Sequence, residues 1–110
     1  MNISINEENE ISIVDLNGNL DTNTSPEVEK SVNALIAADK AKIIIDLSNT
    51  GFVSSAGLRI FLSTAKQLTA KGGVFKICSP NDVVKEILDM SGFSTILDVR
   101  SNLEEAVSTM

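Results

Sequence analysis

The sequence predicts an α/β fold: a mostly parallel sheet of four or five strands, the first at an edge and antiparallel, with about four helices packed against it. Two observations predict it. Lys42-Ile-Ile-Ile-Asp-Leu47 is a short, continuous β-branched run of the kind that lies inside a parallel sheet with both faces covered. On either side, helical spacings of apolar residues alternate with further short apolar runs, the strand–helix–strand rhythm of right-handed crossover units.

In chain order, Met1 to Asp15 holds two alternating runs, Ile3/Ile5 and Ile11/Ile13, separated by the polar Asn6-Glu-Glu-Asn-Glu10. They read as two strands joined by a turn. Leu16-Asn-Gly-Asn-Leu20 breaks the pattern, and Asp21-Thr-Asn-Thr-Ser-Pro-Glu27 opens a helix. Thr24 and Glu27 have capping-box spacing, and Pro26 suits a first turn because its missing N–H would be unpaired there anyway. Val28, Val32, Leu35 and Ile36 share a face of that helix, which should end near Lys40. After the Lys42–Leu47 strand, a second helix starts near Ser55. Its expected buried stripe is Leu58, Phe61, Leu62, Ala65 and Leu68, with Arg59, Ser63, Lys66 and Ala70 on the other side and Gly72-Gly73 as the stop. Val74 to Cys78 is the next strand. Ser79-Pro80 opens a third helix carrying Val83, Val84, Ile87 and Leu88, closed by Gly92. Thr95 to Val99 reads as a last short strand. Ser101-Asn-Leu-Glu104 is a second capping box, opening a C-terminal helix with Leu103, Ala106 and Val107 on its apolar side. Nothing repeats and no linker interrupts the pattern, so residues 1–110 read as a single domain.

Composition narrows the function. The 110 residues are 43% hydrophobic and 22% charged, which is globular and not disordered territory. Nine Lys and Arg against fifteen Asp and Glu give a net charge of −6, which argues against binding nucleic-acid phosphates or an anionic membrane surface. The single cysteine, Cys78, rules out an intramolecular disulfide and reads as a small core residue. No run approaches the roughly 18 apolar residues of a membrane span, and no signal-like segment opens the chain; a reduced, cytoplasmic setting is expected. Histidine, Trp and Tyr are absent. That removes Ser-His-Asp and Cys-His catalysis, histidine general bases and most zinc sites.

The remaining chemistry concentrates at Asp46-Leu-Ser-Asn-Thr-Gly-Phe-Val-Ser-Ser-Ala-Gly-Leu58, where a strand ends, the chain turns and a helix begins. Ser54 and Ser55 stand at the mouth of that helix. A serine there can cap it, and the same place tolerates an added phosphate because unpaired N–H groups and the helix dipole favour an anion. A nucleophile elbow needs G-x-S-x-G and a base to activate the serine, and this stretch has neither. There is no Gly-Lys-Ser/Thr phosphate loop, and Asp21, Asp46, Asp82, Asp89 and Asp98 match no calcium-loop spacing, so neither a cofactor nor a metal is expected. Ser55, Arg59, Ser63 and Lys66 follow one another at helical spacing, a solvated stripe or a docking face that begins at the serine.

Phe52-Val-Ser-Ser-Ala-Gly-Leu58 behind the Ile43–Leu47 strand resembles the signature of the STAS domain of bacterial anti-sigma factor antagonists. Gly18-Asn-Leu-Asp21, Lys71-Gly-Gly73 and Met90-Ser-Gly-Phe93 fit further elements of that family, so the resemblance runs from about Val14 to Ala106. It implies a binding protein and not an enzyme. Its partner would be an anti-sigma factor that is often also a serine protein kinase, bound in the unphosphorylated state so that a sigma factor is released. Phosphorylation of one serine at the start of the second helix would prevent binding, and a PPM-type serine phosphatase would reverse it. Register on Gly57-Leu58 makes Ser55 the implied acceptor and Ser54 the second choice; many members carry aspartate where this chain has Ser54. The implied partner-binding residues are Asp21, Thr22, Ser54, Ser55, Gly57, Arg59 and Ser63. The competing readings are a STAS module that binds a nucleotide or other small molecule, and a scaffold subunit whose serines are never modified.

Overall fold

A computed structural model describes residues 1–110. The elements, in order, are β1 (Asn2–Glu8), β2 (Ile11–Asn17), α1 (Ser25–Ala37), β3 (Lys42–Asp46), α2 (Ser55–Ala70), β4 (Val74–Cys78), α3 (Asp82–Met90), α4 (Phe93–Ile96), β5 (Val99–Arg100) and α5 (Leu103–Ser108). The five strands lie side by side in sequence order; β1 is antiparallel to β2 and every other pair is parallel. Right-handed crossovers between strands laid down in one direction put their helices on the same face of the sheet. One large core accordingly joins α1 (Val28, Val32, Ile36), α2 (Leu58, Phe61, Leu68) and α3 (Val84, Leu88) to Val14, Ile43, Ile45 and Ile77 of the sheet. On the opposite face a small cluster of Ile11, Ile13, Ile44 and Cys78 is covered by Ala106 of α5. Ile43, Ile44 and Ile45 are all buried, as expected of a run enclosed on both sides.

Several boundaries differ from the sequence reading, each for a local reason. β2 runs on through Leu16 and Asn17, which pair with Ile3 and Asn2 of β1, so the break expected at Leu16 comes later. Helix α1 ends at Ala37, short of Lys40, and the chain then passes through a left-handed residue at Asp39, φ 61°. Thr24 flanks α1 but its side chain caps nothing. Its hydroxyl accepts from the Asp21 N–H at 2.9 Å and donates to the Asn19 carbonyl at 2.8 Å, so the capping box with Glu27 does not form. Helices α3 and α5 are capped one or two residues later than Ser79 and Ser101. Asn81 accepts from the Val84 N–H, and Asn102 accepts from the Glu105 N–H, each at 2.8 Å. Where a strand was expected from Thr95, Gly92 at φ 80° turns the chain into the single-turn α4, and β5 shrinks to two residues; the helices number five. Helix α2 is buried on more than the expected stripe. Ile60 and Thr64 are also buried and Leu62 only partly, because α2 packs on α1 as well as on the sheet.

Candidate functional site

The turn after β3 is stitched to the turn after β2 by backbone. Gly18 N–H donates to the Asn49 carbonyl (3.1 Å), Leu20 N–H to Phe52 (2.9 Å), and Ser54 N–H to Leu20 (2.8 Å). Leu20 and Val53 form a one-residue parallel bridge, and both side chains are buried. Thr50, itself buried, donates its hydroxyl to the Leu16 carbonyl at 2.7 Å, and Asn81 at the start of α3 donates to the Thr50 carbonyl at 3.2 Å. This ladder sets the Asp21 loop beside the N-terminus of α2.

The two serines differ in what they do. Ser54 is the N-cap in extended backbone, φ −84°, and its hydroxyl accepts a long bond, 3.4 Å, from the Gly57 N–H. Its carbonyl accepts the first intrahelical bond, from Leu58. Ser55 is the first helical residue and is exposed, and its hydroxyl takes no part in any hydrogen bond within the chain. Asp21 turns its carboxylate on its own loop, accepting from the N–H groups of Asn23 (2.9 Å) and Thr24 (3.1 Å). That Asx turn orders the loop just ahead of α1, whose first N–H groups take no side-chain cap.

The other expected contact residues divide. Thr22, Arg59 and Ser63 line one groove between α1 and α2, about 340 Å³, together with Pro26, Glu29 and Ile60. Ser63 accepts a bond from Gln67 at 3.1 Å. Gly57 stands apart from them because it is buried. A Cβ there would lie 2.7 Å from Leu20 Cγ and 3.0 Å from Val53 Cγ1, so the glycine lets α2 approach the bridge and offers no surface to a partner. Two residues that the sequence reading holds only as parts of motifs, and not among the partner-binding residues, also shape the site. Phe52, 44% exposed, places a large apolar side chain two residues before Ser54; an aromatic beside a turn in a chain with four aromatics was the available signal. Leu20 stands in the Gly18–Asp21 motif, but its pairing with Val53 is not visible there because the two are remote in sequence. Cys78 lies on the far side of the sheet from the helices that build this site. Burial, and then the Asp46 carboxylate, push its thiol up to about 12, so it is neutral near pH 7.

The site thus combines an unengaged hydroxyl on a helix N-terminus, a half-exposed aromatic and a groove holding an arginine. The STAS domain profile matches residues 2–106. The chain belongs to the STAS domain family. It is 33% identical to an anti-sigma F factor antagonist of Paenibacillus polymyxa, over 100% of this chain and 97% of that one. The structure of an anti-sigma factor antagonist from Mycobacterium paratuberculosis superposes with a TM-score of 0.91 at 23% identity, covering 98% of this chain and 92% of that chain. The Bacillus cell fate determinant SpoIIAA in its phosphorylated form superposes with a TM-score of 0.75 at 19% identity, over 98% of each chain. No helix of this STAS chain is long and apolar enough to cross a membrane.

Proposed function

We propose that this STAS domain is an anti-sigma factor antagonist switched by phosphorylation of Ser55. Unmodified, it binds an anti-sigma factor that is also a serine kinase, through the Asp21 loop, Phe52 to Ser55 and the exposed stripe of α2, and a sigma factor is released. The kinase transfers the γ-phosphoryl group of ATP to the Ser55 oxygen, with loss of the hydroxyl proton and departure of ADP. Hydrolysis by a PPM-type phosphatase restores the hydroxyl. In this scheme the protein is a substrate and a ligand, not a catalyst, and works in the cytoplasm.

The observation that carries the choice of serine is the free, exposed hydroxyl of Ser55 beside the engaged one of Ser54. The names of the relatives support the class of partner. Physical reasoning supports the switch. A phosphate adds roughly −1.5 to −2 charge, which a helix N-terminus accommodates without unfolding. Buried against a partner that supplies no counter-charge, it costs several kcal/mol. Each ~1.4 kcal/mol is a factor of ten in affinity, so a loss of about a hundredfold or more is expected.

The test is incubation with the cognate kinase and ATP, followed by mass spectrometric localisation of the phosphate and a pull-down of the partner. Phosphate on Ser55 with loss of capture supports the reading. Phosphate confined to Ser54, or none, sinks it.

A further inference from the structure

The groove between α1 and α2 holds a charge that the folded chain does not use. Arg59 takes part in none of the four ion pairs and in no hydrogen bond, although Glu29 lines the same groove. The other hydroxyls nearby are partly spent: Ser25 donates to the Asp21 carbonyl and Ser63 accepts from Gln67. Thr22, across the groove on the loop before α1, has a hydroxyl as unengaged as that of Ser55. Arg59 stands four residues after Ser55 on the continuous sixteen-residue α2, which puts the two side chains on one face about 5–6 Å apart at Cβ. The long guanidinium stem covers that span easily, and its planar fork matches phosphate oxygens in a way that a hydroxyl cannot exploit.

We infer that Arg59 is an intramolecular receptor for the phosphate on Ser55, drawing it back along α2 to the mouth of the α1–α2 groove. Phosphorylation then changes the docking face twice over. It adds negative charge at the helix start, and it takes the free arginine out of the groove. The inference rests on Ser55 being the modified serine. The charged side chains on the elements that meet at this end of α2 are Asp21 on the neighbouring loop, Glu29 on α1 and Arg59 on α2 itself. The two carboxylates oppose the dianion; Arg59 is the one side chain of the three that favours it, adding to the N–H groups and dipole of the α2 N-terminus.

The experiment installs phosphoserine at position 55 by genetic encoding, which removes any dependence on the kinase, and follows the second ionisation of the phosphate by phosphorus NMR. The intact chain should ionise at a pH lower by roughly 0.3 of a unit or more than Arg59→Gln, with the difference largely restored in Arg59→Lys and narrowed in 1 M salt. Equal midpoints in the intact chain and Arg59→Gln overturn the inference, and a melting curve of the unmodified variant establishes that it is folded. Failure of the kinase to modify Ser55 is a separate result, read by mass spectrometry, and bears on the function proposed above.

Discussion

Ser55 and Gly57 stand two residues apart in the first turn of α2 and answer to opposite demands, one facing water and the other packed beneath the helix. Ser55→Ala removes a hydroxyl that bonds to nothing in the chain, so urea unfolding should move by no more than about 0.5 kcal/mol. The same variant should hold its partner whether or not kinase and ATP are present, while Ser55→Asp weakens capture with a smaller effect than phosphate. Gly57→Ala puts a methyl group within 3.0 Å of Leu20 and Val53, both fully enclosed, and should cost about 1–3 kcal/mol in the same unfolding measurement. Helix-start chemistry is local, so the sequence points to Ser54 and Ser55 together, and only the family register on Gly57-Leu58 favours Ser55. The sequence reading grouped Gly57 with the contact residues because a glycine's reason for being small lies in whatever packs on it, here a leucine from another turn.

At the scale of elements, the bridge between Leu20 and Val53 joins the two halves of the site. Leu20→Ala should destabilise the fold by about 2–5 kcal/mol. It should also speed hydrogen exchange at the Ser54 amide, which donates to the Leu20 carbonyl, more than at amides in the middle of β3. Unchanged protection at Ser54 would show that the bridge does not hold the turn. The strands and the two long helices are legible in the sequence because each is written in its own period: the Ile43–Ile45 run, the Val28/Val32/Ile36 face, the Leu58/Phe61/Leu68 stripe. The caps are less so. Ser79 and Ser101 have the right chemistry at nearly the right place, but Asn81 and Asn102 lie a residue or two on and take the N–H groups instead, while the Thr24 hydroxyl is used by the Asp21 N–H and the Asn19 carbonyl. The β5 region misreads because Ile96 and Val99 look like a strand until Gly92 commits the chain to a helical turn. The α1–α2 groove was not legible at all, since Glu29 and Arg59 come to line one groove only through helix packing.

For the molecule as a whole, the two faces of the sheet are unequally protected, with three crossover connections on one and α5 alone on the other. The buried Lys76 ammonium holds that single cover in place, donating to the Thr109 carbonyl at 2.7 Å and lying 3.5 Å from Asp98. Burial works to raise the Asp98 carboxyl, but the hydrogen bond from Arg100 and the charge of Lys76 outweigh it, and the group is held below its ordinary value. A depressed carboxylate contributes stability above its unfolded ionisation near pH 4, and that stability is lost as pH falls through the lower folded value. Urea midpoints should therefore drop as the pH falls below about 4, and less steeply in Asp98→Asn. Cys78 gives the alkaline counterpart. Its thiol, raised from 9.0 to about 12, keeps its proton longer in the folded chain than in the unfolded one. Stability should fall by about 1.4 kcal/mol per pH unit from pH 9 upward, and Cys78→Ala should remove that slope. The bridge at Leu20 and Val53 has a last consequence at this scale. The Asp21 loop and the start of α2 are joined by backbone pairing between segments remote in sequence, so an enzyme that reads both would leave misfolded copies unmarked. For such an enzyme, the phosphate we propose on Ser55 would double as a certificate of folding.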